Sequence, residues 1–320
     1  MNETSSLQSA FLKKHRQHHH LVLFLRLLGC ILFLGLWEIS TRLSWIDSFI
    51  FSCPSGILKT LAVMSGDGSL FLHTKVTLYE TLVSFLLVIG ISFLTATLLW
   101  IFPTVSEILE PWLVVLNSLP KSALAPLLIV WLGSGSCTII VAGMSVAVFG
   151  SIISMYTAFR ETDSEKIKLI HTLGGGKREA LCYVIFPSSL PSVISILKVN
   201  IGLCLVGVII GEFLAAREGL GYLIIYASQI FKLNYLIAAL MVLCLIALIL
   251  YPVMQKFEHQ IKRSRSLTNR LLFLFFIIFC VLYTNFFKQL LVQFRFFIAH
   301  SLQPSQWPAP SHGLPVFRSH

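Results

Sequence analysis

Thr162–Pro191 reads TDSEKIKLIHTLGGGKREALCYVIFPSSLP, a water-seeking stretch in a chain that otherwise seeks hydrocarbon. Thr162 with Glu165 three residues on forms a capping box, which predicts a helix from there to Leu173. Gly174-Gly175-Gly176 must break that helix, because glycine supplies left-handed backbone angles at low cost. A second helix, Lys177–Tyr183, is expected to run until Pro187. Helix, glycine turn, helix makes a compact, rigid knob. It is too short to fold alone, so it needs a surface to pack against.

The rest of the chain says what kind of protein carries this knob. Its 320 residues are 56% hydrophobic and 12% charged, with a mean hydropathy of +0.83. Soluble proteins average roughly 25% charged. Several apolar runs approach or exceed the roughly 20 residues that cross a bilayer. They are continuous rather than alternating, which argues against a β-barrel. The fold class is therefore all-α, a polytopic membrane protein.

Taken in order, residues 1–20 end in KKHRQHHH and hold four of the ten histidines. That cluster reads as a basic juxtamembrane anchor in preference to a metal site. No small-residue cleavage site follows the first apolar run, so it reads as a retained span. Spans are expected at Leu21–Ser40, Val76–Ile101, Cys137–Thr157, Pro191–Leu214 and Leu233–Met254, with Glu80 interfacial near the start of the second. Residues 41–73 read as an external, partly helical loop, Phe102–Glu107 as a short turn and Gly133–Ser136 as another. Residues 108–131, ILEPWLVVLNSLPKSALAPLLIVW, are apolar but carry Pro111, Pro120, Pro126 and Lys121. Internal prolines interrupt helices, and in lipid such breaks are tolerated where they face protein or a water-filled cavity. This segment is a candidate pore-lining element, the alternative being a kinked lipid-facing span. Counting it gives six spans.

The net charge of +10 collects in the N-terminal cluster, in 158–190 (Arg160, Lys166, Lys168, Lys177, Arg178) and after Met254. With six spans these three segments share one side, which the positive-inside rule makes cytoplasmic. Charge at span ends also accounts for the basicity without nucleic acid. Arg42, Lys59 and Lys75 face outward in this scheme and run against it. Residues 271–287, LLFLFFIIFCVLYTNFF, form a further apolar run with seven aromatics. It is either a seventh span or an interfacial helix, with the span preferred. The organisation is thus 1–20, a basic N-terminus; 21–262, the transmembrane domain with loop 158–190; and 263–320, an atypical tail.

Chemistry is sparse. The seven cysteines, at 30, 53, 137, 182, 204, 244 and 280, form no CxxC pair and read as apolar fillers. GGGK invites a phosphate-loop reading, but that pattern needs glycine at His171 and Ser or Thr at Arg178. No cofactor or metal site is expected, and no soluble segment is long enough to be an ATPase. Among charges in spans, Lys198 and Glu212 lie 14 residues apart, about 21 Å along a helix, so they cannot pair with each other. Glu212 either orients the turn at Gly219-Leu220-Gly221, lines a pathway, or satisfies backbone at a helix end. Lys198 either meets an anionic solute or pairs with a neighbouring helix.

Four motifs, spread from Trp37 to Arg263, carry a family resemblance. Gly174, nine residues and then Val184-Ile185-Phe186-Pro187 match the spacing of the "EAA" loop of bacterial ABC-transporter permeases. LGGGKREALCYVIFPSSLP, GEFLAAREGLGYLI (211–224), ALAPLLIVWLGSG (123–135) and, more weakly, LWEI (36–39) resemble the nitrate/sulfonate/taurine/bicarbonate importer branch. Three features depart from it: Lys168-Leu169-Ile170 replaces the EAA triplet, Ser84 stands where glycine is usual, and the tail after Arg265 has no counterpart.

The resemblance implies a type I importer permease subunit in the bacterial plasma membrane, N-terminus cytoplasmic. It implies a partner ABC ATPase that binds ATP, an extracytoplasmic solute-binding protein and, as is usual for the branch, a permease homodimer. The coupling loop would use Lys168, His171, Leu173, Gly174, Gly175, Lys177 and Pro187. The pathway candidates are Pro120, Lys121, Pro126, Lys198, Glu212, Gly219 and Gly221. The solute would be a small anion such as a sulfonate, taurine, nitrate or bicarbonate, or a vitamin precursor. The competing readings are a secondary transporter, which needs acidic relays in the membrane, and a membrane-embedded enzyme, which needs a cluster of His, Asp or Cys.

Overall fold

A computed structural model describes residues 21–263 except 23, 26, 27, 30, 46 and 48–50, and of residues 257 and 259–263 it describes the backbone only. The N-terminal cluster 1–20, the run 271–287, the tail and part of Leu21–Ser40 therefore lie outside the described residues. Residues 31–42 are helical, as the first span requires. Ten α-helices follow: α1 Pro54–Gly66, α2 Ser69–Ile101, α3 Pro103–Ser118, α4 Lys121–Leu132, α5 Ser136–Arg160, α6 Ser164–Thr172, α7 Lys177–Ala180, α8 Phe186–Ala215, α9 Leu220–Gln229 and α10 Leu233–Arg263. No strand occurs among the described residues.

Among the described residues, four helical stretches are long and apolar enough to cross a membrane: Ser69–Ile101, Ser136–Arg160, Lys177–Ala215 and Leu233–Lys256. A fifth crossing is made if α3 and α4, bent by 95° at their junction, act as one broken span. The bend falls at Pro120, which holds the preceding Leu119 in extended backbone (φ −61°, ψ 140°). Pro111 and Pro126 sit inside α3 and α4 and leave the helices continuous. Of the three prolines, one breaks the segment.

Several boundaries differ from the sequence expectation. The second span starts at Ser69, seven residues earlier than Val76. Phe102–Glu107 is not a turn but the first part of α3, because Pro103 occupies a first-turn position where its missing N–H is no loss. The last helix runs past Met254 to Arg263. The largest change is at Pro187. The helix that starts at Lys177 does not stop there; it continues to Ala215, 39 residues in all. A π-helical turn, Leu181–Ile185, immediately precedes it, with Phe186 N–H reaching Leu181 O. The wider turn shifts the hydrogen-bond register, so a proline can enter without ending the helix.

The chain forms two compact units. One comprises Met1–Thr74 and Leu223–Cys244, the other Lys75–Tyr222 and Leu245–His320. In the first, the Glu38 carboxylate of LWEI accepts from Arg42 Nε (2.8 Å), Ser55 Oγ (2.9 Å) and Ser55 N (3.1 Å). It thereby caps α1, whose own N-cap residue, Cys53, supplies no side-chain bond. Ser52 Oγ donates to Asn234 Oδ1 in the same unit.

In the second unit α2, α5 and α8 pack as a tight triad. Phe85, Val88, Ile89, Met155, Phe159 and Ile201 are among its buried core. A Cβ on Gly207 would stand 2.8 Å from Gly143 Cα, so α5 and α8 cross in backbone contact. The departure at Ser84 is accommodated at this interface: its hydroxyl lies 2.7 Å from Glu80 O on its own helix and 3.1 Å from Ile140 O on α5. Asn200 Nδ2 donates to Ser151 Oγ at 2.7 Å, a second polar tie in an apolar interface. Large apolar side chains such as Leu94, Leu98, Val199, Leu214 and Leu248 remain exposed. A bilayer solvates such surfaces, whereas water would not.

Candidate coupling loop and polar nodes

The loop 158–190 is built from its helix ends. Asp163 caps α6, its Oδ1 accepting from Glu165 N at 3.0 Å. The cap is therefore one residue later than the predicted Thr162, whose Oγ1 has no hydrogen-bond partner. Both residue types can cap; here the carboxylate at 163 meets the free N–H of the first turn.

The helix closes in a Schellman motif. Gly175 N donates to Ile170 O at 2.9 Å and Gly174 N to His171 O at 3.1 Å. Gly174 supplies the positive φ, +84°. Gly175 supplies the close approach, since a Cβ there would fall 2.6 Å from Ile170 Cγ2. His171 Nδ1 bonds Gly175 O at 3.0 Å, and Glu179 Oε2 accepts from Gly176 N at 2.8 Å to start α7. The knob satisfies its own backbone.

That self-sufficiency leaves its side chains free for a partner. Lys168, His171, Leu173 and Gly174 are exposed together on one helix–turn. Leu173 is 76% exposed and Leu169 58%, apolar surface on a polar loop. Two predicted members behave differently. Lys177 is also exposed but donates from Nζ to Ile101 O at 3.1 Å, tying the knob to the carbonyl end of α2. Pro187 lies beyond the π turn, at the root of the span and not in the knob. The sequence reading missed what holds that root: Phe93, Phe159 and Phe186, one from each packed helix, with ring centroids 4.9 to 5.9 Å apart. Their spacing in sequence gives no sign that they meet.

The pathway candidates fall into three constellations. Pro120 and Lys121 sit at the α3–α4 break, where Lys121 Nζ donates to Leu116 O and lies 5.2 Å from the Phe149 ring centroid. Pro126 is exposed one turn further along α4. Lys198, on α8, is ion-paired with Glu258 of α10, the two side chains 19% and 13% exposed. Of the alternatives for Lys198, the neighbouring-helix pair is the one present.

Glu212, Gly219 and Gly221 do come together. Thr77 Oγ1 of α2 donates to Glu212 Oε1 at 2.7 Å and accepts from Leu220 N at 2.8 Å, while Gly221 N donates to Glu212 Oε2. A Cβ on Gly219, where φ is +118°, would stand 2.4 Å from Glu212 Cδ; one on Gly221 would stand 2.8 Å from Oε2. The glycines are there because the acid is. Thr77 is the member that sequence reasoning missed. Glu80 corrects a further expectation. It is not interfacial but fully buried, beside Glu212, because α2 starts about two turns earlier than predicted and carries it inward.

With this geometry in place, comparison with known proteins decides the family. Residues 88–266, more than half of the chain, match the family described as "Binding-protein-dependent transport system inner membrane component". The chain belongs to this family. It is a multi-pass membrane protein and an ABC importer permease subunit. A relative from Haemophilus influenzae, described as a "Probable ABC transporter permease protein", is 31% identical over 231 residues, covering 71% of this chain and 94% of the relative. The taurine transport system permease protein TauC of Escherichia coli is 24% identical over 220 residues, covering 67% and 79%. Among solved structures, a chain of the inward-facing MetNI methionine ABC transporter superposes with a TM-score of 0.54 at 16% identity, over 59% of this chain and 94% of that one. That likeness concerns the fold alone.

Proposed function

We propose that two copies of this permease enclose a solute pathway and that each seats its 158–190 knob in a cleft of a separate ATPase subunit. A solute-binding protein on the outer face delivers cargo, and the N-terminus and knob lie in the cytoplasm. ATP binding would close the ATPase pair and push the knobs, switching the pathway between two access states. The cargo is a small anion such as a sulfonate, taurine, nitrate or bicarbonate, or a vitamin precursor. The taurine permease relative and the motif resemblance support that class.

The observation that carries this reading is the self-closed knob with exposed Leu169 and Leu173, continuous through one 39-residue helix with a membrane span. A rigid knob on an unbroken helix transmits a push as motion of the whole element. Lys168, His171, Leu173, Gly174 and Gly175 form the docking surface and its turn, while Lys177 and Pro187 fix the knob to the span.

The test is co-purification with the proposed partner ABC ATPase, using Leu173→Glu and Gly174→Trp. Loss of ATPase capture and of ATP-dependent uptake, with the variants still inserted and folded, is the expected outcome. Capture and uptake at wild-type levels in both variants would overturn the coupling role.

A further inference from the structure

Glu80, on α2 of the packed triad, has no part in the proposed function. It is fully buried. Neither of its carboxyl oxygens has a hydrogen-bond partner, and the hydroxyl of the adjacent Thr81 is likewise buried and unpartnered. Its polar neighbours are Glu212 and Ser136, the first residue of α5.

Glu212 is the opposite case. It is equally buried, but its oxygens accept from Thr77 Oγ1, from Gly221 N and from Tyr222 N. A carboxyl that only accepts is ordered as a carboxylate. None of the ion pairs made by the described lysines and arginines involves either acid. Lys75 of α2 and Arg217 and Glu218 of the connection before α9 are exposed.

Two negative charges side by side in a dry helix interface repel strongly, and no lysine or arginine ion pair among the described residues offsets this. One positive charge cuts the pair's net charge from −2 to −1, and the Thr77 and Gly221 donors stabilise what remains on Glu212. We propose that Glu80 and Glu212 together hold one monovalent cation, either a proton on the Glu80 carboxyl or a sodium ion between the two carboxyls. The site ties α2 to α8 at the node where Glu212 and Thr77 also hold the start of α9. Its occupancy therefore sets how closely those helices approach. The inference does not depend on which solute or motor the permease uses.

The experiment uses the full chain in lipid nanodiscs at neutral pH, with sodium or choline chloride at equal ionic strength. Infrared spectra report the carbonyl stretch of an un-ionised carboxylic acid, and thermal unfolding reports ion binding. A bound proton gives a carboxylic-acid band that is the same in both salts and is lost in Glu80→Gln. A bound sodium ion gives no such band. Instead, sodium raises Tm relative to choline by about 2–4 °C in the wild type and not in Glu80→Gln. Should Glu80→Gln fail to insert, Glu212→Gln serves as the second variant, which must shift the band or abolish the sodium effect. A wild-type chain with neither signal, or signals that survive both substitutions unchanged, would overturn the proposal.

Discussion

Two glycine turns lie at opposite ends of the same long helix. LGGGK at 173–177 leads into its first residue, and EGLG at 218–221 follows its last. They use glycine for different reasons. At the knob, nothing lies within 4 Å of a Cβ built on Gly174, so the residue is required by backbone angle alone. At the far turn, Gly219 and Gly221 are required by the Glu212 side chain, which occupies the space a Cβ would need. The knob closes its own backbone and offers side chains outward. The far turn gives its N–H groups to a buried acid from the preceding helix. A self-contained turn can serve as a docking part, whereas a turn held by a neighbour serves as a joint.

That contrast can be broken by substitution. The largest expected effect is Gly219→Ala, which combines a 2.4 Å clash with a strained φ of +118°. We expect a loss on the order of 3 kcal/mol or failure to insert, measured by thermal unfolding in nanodiscs. Breaking the Lys198–Glu258 pair with Glu258→Ala should cost about 2 kcal/mol, below the value for a fully buried pair because both side chains keep some exposure. The charge-swapped double variant should recover part of it, and no recovery would mean that the pair contributes nothing.

Thr77→Val removes a donor to Glu212 and the acceptor for Leu220 N–H, for a loss of about 1–3 kcal/mol in the same assay. Gly174→Ala meets open space and should cost only about 1 kcal/mol, while lowering ATP-dependent uptake. An equal loss for Gly174→Ala and Gly219→Ala would erase the distinction between the two turns. Smallest is the cap. Asp163→Ala should loosen α6 by about 1 kcal/mol, read as faster amide exchange in 164–167, while Thr162→Ala leaves exchange unchanged. The reverse result would restore the original capping box.

Much of the knob was legible in the sequence because its determinants are local. Gly174 needs a positive φ whatever surrounds it, and a helix-forming run on each side fixes what the turn connects. The expected stop at Pro187 failed because a proline's effect depends on the hydrogen-bond register it enters, and the π turn at Leu181–Ile185 is not written in any residue type. The cap at Asp163 instead of Thr162 shows the same limit at the scale of one residue, where helix ends are decided by small differences in reach. Glu80 was misplaced for a third reason: an extension of α2 by about two turns moves a residue from a headgroup position to the interior, and hydropathy cannot see where an apolar helix begins.

By itself the sequence determined an all-α membrane protein, a proline-interrupted segment at 108–131, the glycine-closed loop and the motifs that mark a permease. These follow from hydrophobic runs, fixed dihedral preferences and spacing, all of which act over a few residues. Tertiary structure alone decided that Phe93, Phe159 and Phe186 meet, that Lys198 finds Glu258, and that Thr77 and Glu212 share the start of α9. Partners 27 to 143 residues apart are chosen by helix packing, in which backbone contact at Gly143 and Gly207 sets how closely two helices approach and so which side chains reach each other. The buried acids at 80 and 212 belong to that second class: each is visible in the sequence, and only the crossing of α2 and α8 makes them a pair.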